Sequence, residues 1–218
     1  MYRMILAETM PDVLVAEAGA DRDVRPVDAD AAAARTREDY GRLTRWLLGL
    51  LGTFGALIAT VVVSMAAWVL TEPGDPMTAV TVAAVLVLAL ALGIPSIWLL
   101  LSLHRSGRRL ARAAGYWAGL PYRSGRRRPT GGDWFAVRFL SFSPDLFLRV
   151  TTSALAALAT TFFAALAVRA LVIGAPGWEL VLWAGGALLF AAVCAGQFGG
   201  VQRIQNGHLA REPRRQPR

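Results

Sequence analysis

Arg169 is the residue of this chain whose place most demands a chemical reason. It lies within a long apolar stretch, four residues before Ile173, and so roughly 6 Å inside the end of a helix at about 1.5 Å rise per residue. A cation in an apolar span needs a partner, and by default it suggests an ion pair or an anion site. The nearest candidates are Glu179 at the start of the next stretch, and Glu72 or Asp75 in another loop. Arg can also snorkel over this distance, so pinning two helices together outweighs an anion or headgroup site.

The remaining polar candidates are weaker. His104, His208, Asp133 and Asp145 could in principle ligate a metal. Their spacing lacks the short local pairs of metalloenzymes, such as two histidines one helical turn apart. All 23 basic residues are arginine, so no Schiff-base, phosphate-loop or general-base lysine can exist. Cys194 is the single cysteine, which excludes an internal disulfide and a CxxC redox pair. No Gly-rich phosphate loop, nucleophile elbow or pair of acids within a span occurs. The reading is therefore of no catalytic, metal or cofactor-binding residues and no cofactor.

Four apolar runs must position whatever chemistry remains. They cover 46–70, 77–103, 150–173 and 178–200, and each exceeds the roughly 18–20 residues that a bilayer-spanning helix needs. They lack the alternation of barrel strands, so they are helices. The loop at 71–76 (Thr-Glu-Pro-Gly-Asp-Pro) and that at 174–177 (Gly-Ala-Pro-Gly) contain no arginine, and their Pro and Gly allow tight reversal. Arginines crowd every other connection: Arg35, Arg37, Arg42 and Arg45 before the first run, ten from Arg105 to Arg149, and five from Arg203 onward. The positive-inside rule then predicts an all-α integral membrane protein of two antiparallel hairpins with both termini cytoplasmic. A bacterial cytoplasmic membrane is the expected location. The net charge of +8 is thereby explained by topology and by attraction to anionic headgroups, and nucleic acid is not expected as a partner.

The predicted organisation has five parts. Residues 1–40 hold nine of the fifteen acids and read as an acidic, mostly disordered tail, helical from about Asp28. Residues 41–104 form the first hairpin, and 105–149 a basic loop. Residues 150–202 form the second hairpin, and 203–218 a basic tail. Within the loop, Arg105–Leu120 reads as a short basic helix ending before Pro121, followed by an irregular stretch containing Arg126, Arg127 and Arg128. Trp134, Phe135, Phe139 and Phe142 then suggest a segment lying in the headgroup plane or docking on a partner. Ser143-Pro144 resembles an N-cap with Pro at the first helical position.

Small residues recur at four-residue steps and are predicted to be packing faces: Gly52, Ala56, Thr60 and Ser64; Ser153, Ala157, Thr161 and Ala165; Ala192, Gly196 and Gly200. The second span is bulkier, and Pro95 predicts a kink in it. Trp46 and Trp98 sit toward one interface, and Trp68, Trp178 and Trp183 toward the other. The two hairpins share a layout, but convergence explains it more economically than duplication.

The functional expectation is a non-catalytic accessory or assembly subunit of a larger membrane complex. It would contact lipids, anionic headgroups and other membrane subunits, or self-associate. A small oligomeric transporter or channel, favouring anions, is the first alternative; an enzyme at the lipid interface is the second.

Overall fold

Long apolar runs without β-alternation become helices, and a computed structural model of the protein is all-helical among its described residues (4–19, 24–71, 76–127 and 144–209). The helices are α1 (Met10–Ala18), α2 (Pro26–Gly41), α3 (Leu43–Val69), α4 (Pro76–Arg123), α5 (Pro144–Val172) and α6 (Gly177–Leu209). Four of them, α3 to α6, contain stretches long and apolar enough to cross a membrane. Proline marks the beginnings: Pro26 opens α2, Pro76 opens α4 and Pro144 opens α5, where its missing N–H costs no helical bond. Ser143, the suggested N-cap, lies outside the described residues, as do Glu72, Asp75, Arg128 and the aromatic stretch with Trp134, Phe135, Phe139 and Phe142.

Two elements differ from the sequence expectation. The region read as a mostly disordered tail contains α1 and α2, which bury Val13, Ala29, Ala32, Thr36, Asp39 and Tyr40. The buried face of α2 is built from alanines at helical spacing. Alanine allows close approach but contributes little hydropathy, so an acidic sequence conceals it. The short basic helix predicted at 105–120 is instead the second half of α4, a single helix of 48 residues. Pro95 does not interrupt it, and Pro121 falls in its last turn.

The chain divides into two units. The span unit comprises Trp46–Leu101 and Thr151–Gly196. Its helices meet at small residues. A Cβ built on Gly52 would lie 3.0 Å from Leu100, one on Gly93 3.3 Å from Ala59, and one on Gly185 2.7 Å from Thr60. Side chains added at Gly55 or Gly186 would collide with Ser96 or Phe163. Phe163 stacks on Phe190 with ring centroids 5.5 Å apart, and Trp183 lies 5.8 Å from it. The hydroxyls of Thr53, Thr60, Ser96 and Thr160 return to carbonyls one turn back, which satisfies them within their own helices.

Of the predicted packing faces, that of α3 is the most closely matched: Gly52, Ala56 and Ser64 are buried and Thr60 half-buried. In α5 only Ser153 is buried, while Ala157, Thr161 and Ala165 are exposed. The packed face there runs through Ser153, Ala156, Ala167 and Ala170. Each four-residue step overshoots a 3.6-residue turn by about 40°, so a strict run of such steps winds off the contact, whereas mixed steps of three and four stay on it. In α6, Ala192 is exposed, Gly196 half-buried and Gly200 buried.

The flanking unit, named for its place in the sequence, comprises Met1–Arg45, Ser102–Val150 and Gln197–Arg218. Its core gathers Val13, Ala29, Ala32, Leu110, Ala111, Ala114, Trp117, Val201 and Ile204. Trp117 is nearly inaccessible, and its Nε1 donates to the Asp12 carbonyl at 3.0 Å.

Candidate functional site: a joint of buried arginines

Arginine at the end of an apolar helix ordinarily extends into water. Arg45 and Arg149 do the opposite, with 6% and 7% of their surface exposed. Each is the residue just before an apolar run, Arg45 before Trp46 and Arg149 before Val150. Both belong to the flanking unit.

Arg45 is held by main-chain oxygens. Its Nη1 donates to the Met4 carbonyl, and its Nη2 to the Leu103 carbonyl at 3.3 Å and Ser106 Oγ at 2.8 Å. The Ser106 hydroxyl donates onward to the Ser102 carbonyl at 2.8 Å, which leaves its lone pairs for Arg45. Burial depresses the Arg45 guanidinium to about 10, opposed by the negative charge of Asp39 and aided by Arg149 and Arg42. It stays charged at neutral pH.

Arg149 is held from several sides. Its Nη1 donates to Gln197 Oε1 at 3.0 Å and its Nη2 to the Tyr40 carbonyl. The guanidinium also lies over the Tyr40 ring, 4.1 Å from the centroid, where the ring's negative face attracts it. Tyr40 reaches this place because residue 200 is glycine: a Cβ there would overlap the phenol.

Asp39 supplies the buried countercharge. Its side chain is inaccessible, accepts the Leu6 N–H at 2.9 Å, and pairs with Arg42 at 3.2 Å. The joint thus holds two buried guanidiniums beside one buried carboxylate. Desolvating two cations costs several kcal/mol each, and the carbonyl dipoles, the π face and Asp39 together offset that cost.

No known protein family, curated protein or solved structure matches the chain. The joint is therefore interpreted on its own geometry. It offers no nucleophile, and its side chains are occupied with one another and with backbone. What it does physically is tie the N-terminal segment, α2, the start of α3, α4, α5 and α6 together through hydrogen bonds with fixed directions.

The residues singled out from sequence fall elsewhere. Arg169 is exposed on α5, and among the described residues it forms no ion pair, with Glu179 or any other acid. Arg126 donates to the Val24 carbonyl at 2.7 Å, and Arg127 pairs with Asp30, so both act within the chain. Among the described residues no group of three His, Cys, Asp or Glu could hold a metal; the side chains of Asp133, Asp145 and His208 are outside them. Cys194 lies in the span unit, with Ser153 Oγ 3.6 Å from its Sγ.

Arg45 and Arg149 were counted in the sequence as charges that set topology. A finer signal was present. Arg45 stands seven residues before Gly52, and Arg149 four before Ser153 and seven before Ala156. Each arginine therefore begins the packed face of its own helix, where it points inward.

Proposed function

We propose that the protein is a non-catalytic accessory or assembly subunit of a larger membrane complex, built of two antiparallel hairpins with both termini cytoplasmic. The arginine distribution supports that orientation, since both short span-to-span loops contain none while the termini and the middle connection carry 22. The observation that carries the functional reading is the buried joint at Arg45 and Arg149. Polar groups that could have served chemistry are engaged in holding helices. Ion pairs between Arg109 and Glu17, Arg35 and Asp12, and Arg127 and Asp30 extend this fastening over α1 and α2. A helical unit fastened by directed polar bonds suits a protein that acts by fixed association with other membrane subunits.

A second reading is an oligomeric channel favouring anions. It draws on Arg169, an exposed cation on an apolar helix with no ion pair among the described residues. Extraction in mild detergent followed by native mass spectrometry separates the two. The assembly role predicts a stable heteromer; a homo-oligomer, or a monomer from gently solubilised native membranes, overturns it.

A further inference from the structure

Five of the described arginines of the flanking unit are matched by an acid. Arg109 grips Glu17 with two bonds of 2.6 Å, and Arg25, Arg35, Arg42 and Arg127 each have an aspartate. One group is not. The exposed His104 and the half-buried Arg108 stand one turn apart on α4, hence on one face, and Arg203 on α6 is near enough to His104 to act on its charge. Among the described residues none of the three is bonded to a carboxylate. Arg203 is steadied by donating Nη1 to the Gly199 carbonyl at 2.9 Å. Arg108 is half-buried, and its Nε is a buried donor with no acceptor. A donor desolvated without an acceptor is destabilising, and a bound anion would relieve that cost.

Position adds a second, independent indication. His104 directly follows the second apolar run, and Arg203 lies three residues past the end of the fourth. Residues just beyond a span reside at headgroup depth, where phosphate is the abundant anion. A tetrahedral phosphate accepts several charge-assisted bonds at once, and guanidinium donors suit it. The imidazole completes the set. Its proton affinity is held below the ordinary histidine range, first by burial and then by the positive charges of Arg108 and Arg203. An anion among these groups reverses the electrostatic part.

We infer that His104, Arg108 and Arg203 form a binding site for a phosphate group, carried by a lipid headgroup or by free phosphate. The inference rests on reading α4 and α6 as bilayer spans; it is independent of the assembly role, so its failure leaves the native mass spectrum unaffected.

The test follows the His104 imidazole by NMR in the full-length protein, with His208→Gln used to assign the signal. One arm adds inorganic phosphate to protein in a neutral detergent. The other compares the protein in a neutral, phosphate-free detergent with the protein in nanodiscs that contain phosphatidylglycerol. The expected result is a rise in the His104 pKa in at least one arm. A rise only in phosphatidylglycerol discs assigns the site to lipid, and a saturable rise with inorganic phosphate assigns it to the free anion. Arg108→Gln and Arg203→Gln should each weaken the response at least tenfold, whereas Arg105→Gln, which removes the same charge from the next residue along from His104, should not. No rise in either arm overturns the site. So does an equal loss in Arg105→Gln, because the response would then belong to the general surface potential. Unchanged thermal unfolding of each variant confirms that it is folded.

Discussion

The two units are held together by opposite means. In the span unit, contact depends on the absence of side-chain volume: glycine faces Leu100, Ser96, Thr60 and Phe163, and hydroxyls satisfy their own helix. In the flanking unit it depends on charge, with guanidiniums joined to carboxylates and carbonyls across 23 to 109 residues of sequence. The contrast follows from solvent. Lipid provides no hydrophobic drive between helices, so spans associate by close packing, whereas segments beside water can combine an apolar core with directed polar bonds. One unit should therefore fail when volume changes and the other when charge changes.

The largest break should come from Asp39→Ala. It leaves Arg45 buried without the negative charge of Asp39 and the Leu6 N–H without its acceptor, and a loss of about 3–5 kcal/mol is expected in detergent unfolding. A change below about 1 kcal/mol, the scale of an exposed pair, would mean that carbonyls and the Tyr40 ring suffice. Next in size is Gly186→Val, which drives a branched side chain into Phe163 and should destabilise by about 1–3 kcal/mol. Its effect should not vary with salt or pH; a salt-dependent penalty would erase the distinction between the units.

Glu17→Gln probes the rim of the charged unit. The pair with Arg109 is partly exposed, so it should contribute less than about 1 kcal/mol and weaken in salt. The hydrogen bond from Arg109 lowers the Glu17 pKa below 4.5. Its contribution is therefore present above that value and lost as pH falls through the folded value. Acid titration of the wild type and of Glu17→Gln should converge at the low end. The smallest effect belongs to His104→Gln. Because the folded imidazole resists protonation, the unfolded chain binds more protons just below pH 6.5, and stability falls there as pH decreases. The variant should flatten that decline in phosphate-free buffer, measured as unfolding temperature against pH.

What was legible in the sequence followed from patterns with strong physical signatures. Length and apolarity gave the four long helices, and Pro144 the start of α5. The faces were harder to read. Ser153, Ala157, Thr161 and Ala165 look like a stripe in the sequence, but the helix winds all but the first out of contact. Helices α1 and α2 escaped notice because Ala29 and Ala32 carry little hydropathy, and their fastening comes from residues about 90 positions away, such as Arg109 and Arg127. The joint was missed for a different reason. A count of charges treats Arg45 and Arg149 like their neighbours, and only the direction of each side chain distinguishes them.

That direction has a bearing on how the chain is made. Arg45 closes its bonds only once Leu103 and Ser106 have been synthesised, and Arg149 waits until Gln197 exists. Until those residues have been made, neither guanidinium has the full set of acceptors that hold it in the folded protein. Arg45 can withdraw into the folded protein after the second long helix, α4, has passed Ser106, and Arg149 only after α6 has passed Gln197. The order of synthesis thus delays each fastening until the helix that receives the arginine exists.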